Sequence, residues 1–156
     1  MKEKQVKKST VQELPELLAP AGSFEKLVTA IHYGADAVYL SGKNYGLRAK
    51  AVNFDEEGIR RAVNYAHGCR VRVYVTVNII AHNADFTGLE NYLLMLREAE
   101  VDAIIVSDPG IIRMAAAVVP DLPIHLSTQA NVTNRHSAQF WISQGISRLK
   151  IGRAHD

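Results

Sequence analysis

The 156-residue chain contains one cysteine, Cys69, and that scarcity excludes several kinds of site at once. A lone thiol cannot close an internal disulfide or hold a metal cluster by itself, so Cys69 is read as a small apolar residue beside a helix end. No apolar run approaches the roughly 20 residues that a membrane span requires, so no membrane partner is expected. Lys2, Lys4, Lys7 and Lys8 are followed by no apolar stretch, which argues against a cleavable leader and makes the cytoplasm the expected compartment. No aromatic residue is interleaved with those lysines, so base stacking by this segment is not expected. H-E-x-x-H, paired C-x-x-C and a G-x-S-x-G elbow are all missing, and no metal site is expected on this chain.

What is present is an ordinary globular composition, 47% hydrophobic and 22% charged, with a formal net charge of +2. Residues 1–13 are expected to be a disordered basic tail and residues 14–151 one packed unit. Short apolar runs alternate with segments of helical spacing along that unit. The runs are Glu16 to Ala19, Ala37 to Leu40, Val71 to Val77, Ala103 to Val106, Ile124 to Leu126 and Arg148 to Ile151, each read as a strand. Between them, apolar residues recur every three or four positions, as in Ile59, Ala62, Val63 and Ala66 or Ile111, Met114, Ala115 and Val118. Ser23, Asp55 and Asp108 stand where helix caps are needed, and Thr87 with Glu90 has capping-box spacing.

The phrase Gly34-Ala35-Asp36-Ala37-Val38-Tyr39-Leu40 returns as Glu100-Val101-Asp102-Ala103-Ile104-Ile105-Val106, and more loosely from Gly145 to Ile151. The first two copies read as helix end, turn, acid, buried strand, an order that the third keeps only loosely. Strands apolar on both faces and joined by helices are parallel and covered on both sides. A dinucleotide-binding sheet is disfavoured, because Ala19-Pro20-Ala21-Gly22-Ser23 carries one glycine where G-x-G-x-x-G would stand. The expected fold is therefore α/β, an incomplete (β/α)8 TIM-like barrel of about six parallel strands with an unpaired apolar edge.

Functional groups of such barrels gather where strands end, which turns the strand assignment into a site map. That map names Tyr39 and Ser41, then Thr76, Asn78 and His82, then Ser107 and Asp108, then Ser127, Gln129 and Asn131. Arg48 and Lys50, in the loop after the second strand, could bring charge to an anionic ligand. His125 lies within a strand and faces either the barrel interior, toward a ligand, or the helices, as a satisfied core residue. A Ser-His-Asp triad from Ser107, Asp108, His125 and Ser127 is disfavoured, since Asp108 is already accounted for as a cap ahead of Pro109.

The blocks Glu16-Leu17-Leu18-Ala19-Pro20-Ala21-Gly22, Gly34 to Leu40, Tyr74-Val75-Thr76-Val77-Asn78, Val106-Ser107-Asp108-Pro109-Gly110 and His125-Leu126-Ser127-Thr128-Gln129-Ala130-Asn131 resemble, in order, those of the collagenase-like peptidase family. The resemblance runs from about Glu16 to about Leu149 and is strongest to the tRNA-modifying branch. It implies an intact enzyme that hydroxylates RNA without oxygen, at a tRNA wobble uridine, with an iron-sulfur cluster on four downstream cysteines and prephenate as co-substrate. The family label implies the alternative of collagenase-like proteolysis. A third reading is a catalytically inactive fragment that binds anions or RNA weakly through the lysine tail and Arg48. Residues 152–156 are expected to be a non-family tail, closer to translated sequencing adapter than to the segment usual after the sixth strand. The resemblance leaves oligomeric state open.

Overall fold

The computed structural model describes residues 14–47 and 53–152, so the lysine tail, Arg48, Lys50 and the last four residues lie outside it. Strands and helices alternate throughout. β1 (Leu18–Pro20) leads to α1 (Phe24–His32), β2 (Ala37–Ser41) to α2 (Glu56–Gly68), β3 (Arg72–Val77) to α3 (Leu89–Glu98), β4 (Ala103–Val106) to α4 (Pro109–Val118), β5 (Ile124–Leu126) to α5 (Arg135–Ser143), and β6 (Arg148–Leu149) follows. All strands are parallel and lie in sequence order, so each crossover brings the chain back beside the strand it has just left. β1 and β6 are the two edges of this sheet, in keeping with an open barrel.

The two-residue period of a strand divides the apolar residues between two cores. Val38, Leu40, Val73, Val75, Val77, Ile104, Val106 and Leu126 join the helix side chains Leu27, Ile59, Val63, Leu93, Leu96 and Ile111 in the larger one. Ala37, Tyr74, Ala103 and Ile105 form a small separate cluster with Leu18 and Tyr39 against it. The small cluster is the bore side of the curled sheet. Register carries the division from strand to strand, with Tyr39 beside Tyr74, Thr76 beside Ile105, Ile105 beside His125 and His125 beside Arg148.

Helix starts follow their caps. Ser23 accepts from the Lys26 amide, Asp55 from Gly58, and Asp108 from Gly110 and Ile111, each pairing an amide that the first turn leaves without a partner. The expected Thr87–Glu90 capping box does not form. Gly88, at φ 81°, caps α3 instead, and the Thr87 carbonyl accepts from the Tyr45 hydroxyl at 3.2 Å. The Thr87 amide, which Glu90 would have to pair, already donates to the Ala84 carbonyl at 3.2 Å, so the preceding turn takes the group that the box needs. A reciprocal pairing appears five residues earlier, where the His82 amide donates to Asp85 at 2.7 Å.

The repeated acid has a physical task. Asp36, at the foot of β2, accepts from the Leu17 amide at 2.8 Å, while its own amide donates to the Leu17 carbonyl at 2.9 Å. Asp102, at the foot of β4, does the same for Val73 of β3, at 2.7 and 3.0 Å, and also meets His67 Nε2 at 2.8 Å. In the looser third copy, the Ser147 amide and hydroxyl both donate to the Ile124 carbonyl of β5. Each copy therefore fixes the start of one strand to the foot of the next. Replacing Asp102 with Ala should lower stability by roughly 1–3 kcal/mol in urea unfolding, because a half-buried amide and imidazole lose their acceptor. Asp36→Ala, at an exposed position, should cost less.

Candidate functional site at the carboxyl ends of the strands

A cavity of about 800 Å³ opens at the carboxyl ends of the strands. Its walls are bore-facing residues at and above the top of the small apolar cluster: Tyr39 and Ser41 from β2, Thr76 from β3 and Asn78 just after it, Ile105 from β4, Ser127 and Gln129 after β5. Gly22 and Lys26 enter from the start of α1, and Leu47 and Asn53 from the loop after β2. No Asp or Glu is among the described residues that line it. A smaller cavity of about 330 Å³ lies at the opposite end, among the segments that lead into β5 and β6, and shares no residue with this one.

The polar groups of the mouth are tied to one another. Asn78, 9% exposed, donates from Nδ2 to Gln129 Oε1 at 3.0 Å, and the buried Ser127 hydroxyl donates to the same oxygen. The Leu47 amide donates to Asn78 Oδ1 at 3.4 Å, and Ser107 Oγ donates to the Asn78 carbonyl at 3.5 Å. Tyr39 carries Lys150 Nζ 5.1 Å above its ring. Burial first, and the nearby Arg148 second, bring the Lys150 ammonium down to about 8. The cavity thus offers ammonium, hydroxyl and amide groups to an acceptor-rich ligand.

Below the mouth, toward the amino ends, the bore is ionic. Glu16 accepts from Arg148 and from the Tyr74 hydroxyl, and it pairs with Arg72. Burial opposes ionisation of Glu16, yet the Arg148 and Tyr74 hydrogen bonds and the two guanidinium charges hold its carboxyl below the usual range. These contacts join the segment before β1 to β3 and β6 across the bore.

His125 stands between these layers. It is 6% exposed, its ring meets Tyr74 edge to face at 4.6 Å, and its buried Nδ1 has no hydrogen-bond partner among the described residues. Burial, followed by Arg148 and Lys150, pushes its pKa down to about 4, so the ring is neutral at pH 7. The side chain faces the bore and not the helices, but it does not line the cavity.

Of the sequence-predicted site residues, Tyr39, Asn78, Ser127 and Gln129 come together at the mouth, with Ser41 and Thr76. His82 does not reach it. That side chain is 81% exposed beside Asp85, at the start of a short helical turn. Asn131 is exposed as well, closing the turn Thr128–Ala130 in a left-handed conformation at φ 54°. Asp108 serves as the α4 cap, and Arg48 lies outside the described residues. Sequence reasoning passed over Lys26, which lies on a helix, and Glu16, which looked like the first residue of a strand.

The residues do not fit an iron-sulfur cluster. Cys69 is an exposed helix cap at the amino end of β3, and no group of three or more His, Cys, Asp or Glu stands together among the described residues. Among the described residues, the Ser127 and Ser107 hydroxyls donate to Gln129 and to the Asn78 carbonyl and not to a general base. Among the described residues, no helix is long and apolar enough to cross a membrane.

His125 makes a pH prediction with a definite sign. Its folded pKa of about 4 lies below the ordinary value near 6.5, so the unfolded chain binds the extra proton between those limits. Stability should therefore fall as pH drops from about 6.5 to about 4, by on the order of 3 kcal/mol from this group. In His125→Phe, denaturation midpoints measured across that window should lose this component of the slope.

The chain matches Peptidase family U32 over residues 22–155. It is 47% identical over 146 residues to tRNA hydroxylation protein P1 of Bacillus subtilis (strain 168), covering 94% of this chain and 35% of that protein. To tRNA hydroxylation protein P of Escherichia coli (strain K12) it is 40% identical over 139 residues, with 89% and 31% covered. It thus spans about a third of the length of these relatives. Among solved structures, the U32 peptidase Mk0906 superposes with a TM-score of 0.74 at 18% identity, over 96% of this chain and 62% of that one, which supports the barrel fold. Matched over most of its length, the chain belongs to peptidase family U32.

Proposed function

We propose that this chain is the N-terminal part of an oxygen-independent RNA hydroxylase acting on a tRNA wobble uridine in the cytoplasm. The observation that carries this reading is the likeness to two tRNA hydroxylation proteins over nearly the whole chain. The mouth is consistent with it, because a cavity walled by amides, hydroxyls and ammonium groups suits a ligand rich in oxygen acceptors. In the intact protein, an iron-sulfur cluster would be held by cysteines outside this chain, and prephenate would supply the oxygen. The task of this part is to bind and orient. Lys26, Thr76 and Gln129 would hold the co-substrate, or the base to be modified, at the carboxyl ends of the strands, with Ser127 orienting Gln129. Proteolysis, which the family label suggests, finds no support in the geometry, because the serines of the site donate to an amide and to a backbone carbonyl.

The reading is tested in cells by deleting the complete gene and measuring wobble 5-hydroxyuridine by nucleoside mass spectrometry. The modification should disappear and return with the wild-type gene. Restoration by a Ser127→Ala allele should be reduced by about 10-fold, the scale of one lost hydrogen bond, because Gln129 loses the hydroxyl that orients it. Unchanged 5-hydroxyuridine after deletion would rule the reading out.

A further inference from the structure

The hydrogen-bond network at the mouth has a polarity that only one end can set. A backbone N–H donates and cannot accept, so the 3.4 Å contact from the Leu47 amide makes the facing atom of Asn78 its carbonyl oxygen. The other Asn78 atom is then the NH2 group, which makes its partner on Gln129, 3.0 Å away, a carbonyl oxygen as well. The Ser127 hydroxyl donates to that same oxygen. Both lone-pair directions of Gln129 Oε1 are thus occupied from inside the protein. Its Nε2 has no acceptor among the described residues, on a side chain that lines the cavity.

We propose that Gln129 is a donor-only, specificity-determining contact for an oxyanionic ligand, a carboxylate or a phosphate, and that Asn78 imposes this orientation on it. Three further observations agree. Asn78 is 9% exposed and Ser127 4%, so the groups that orient Gln129 are shielded from competing water. Lys26 and Lys150 line the same cavity. Among the described residues, none that lines it is acidic. Asn78 is then a positioning residue acting through Gln129, and Gln129 is the group that meets the ligand. The inference takes the mouth as the ligand site, as in the proposed function, and adds the chemical class that its amide accepts.

The test uses the 156-residue chain and two probes, prephenate for the carboxylate source and inorganic phosphate for the phosphate source. Side-chain amides are followed in 1H–15N spectra. The Gln129 NH2 pair should shift on addition of at least one probe, and the probe with the lower Kd identifies the source. Gln129→Leu, neutral and similar in size, should weaken that probe by about 10-fold or more. Asn78→Asp should act without touching the ligand. The introduced carboxylate still accepts from Leu47 but cannot donate, so Gln129 turns its NH2 toward it. Without any probe, the Gln129 NH2 protons should move to the downfield position of a carboxylate-bound amide, a change that added negative charge alone would not produce.

Three results would overturn the proposal: no binding of either probe up to about 10 mM, wild-type affinity in Gln129→Leu, or Gln129 protons left in place by Asn78→Asp. None depends on hydroxylation. A chain that passes while gene deletion leaves tRNA unchanged would retire the hydroxylase reading alone.

Discussion

Everything at the mouth depends on one geometric constraint, the two-residue alternation of strands in a parallel sheet that curls. A flat sheet would place Ser41, Thr76, Ile105 and Ser127 along one broad face. Curling brings them to a single cavity. The curl has an electrostatic tie, because the Glu16 carboxylate reaches Arg72 on β3 and Arg148 on β6. Arg148 is a distant residue in sequence, yet it meets the segment ahead of β1. A partly buried ion pair of this kind is weak evidence for net stability, but it fixes which side chains face each other.

The repeated Gly-Ala-Asp-Ala and Glu-Val-Asp-Ala turns supply the local half of the same construction. Each aspartate satisfies an amide at the amino end of the preceding strand, so strands are fastened in pairs at those ends. The opposite ends carry no such aspartate clamp among the described residues and hold loops with other tasks. Stability and ligand contact are thereby separated to opposite ends of the sheet, as is usual in this architecture.

The strands and the first four helices were legible because their apolar residues are buried on a regular period, as with Ile59, Ala62, Val63 and Ala66 on α2. α5 left no such trace. It has no buried residue, and Phe140 and Ile142 are more than half exposed, so its pattern does not mark a core face. The Thr87 capping signal misled for a different reason, since the Thr87 amide closes the preceding turn on the Ala84 carbonyl and is not free for Glu90. Strand ends pointed to Tyr39, Asn78, Ser127 and Gln129. They could not tell His82 and Asn131, which turn outward, from residues that turn inward, because loop direction is set by contacts that periodicity does not encode. Nor could they show that Asn78 and Gln129 share a hydrogen bond across 51 residues.

The alternation itself can be read from two adjacent residues of β4. Ile104 belongs to the helix-side core, and Ile105 belongs to the bore cluster and lines the cavity. Methyl NOE measurements on isoleucine-labelled protein test this directly. The account predicts contacts from the Ile105 methyls to Tyr74 and Thr76, and from the Ile104 methyls to side chains of the helix-side core, with no shared partners across the sheet. If both isoleucines contacted the same helix residues, the division into bore and outer face would be wrong, and the mouth with it.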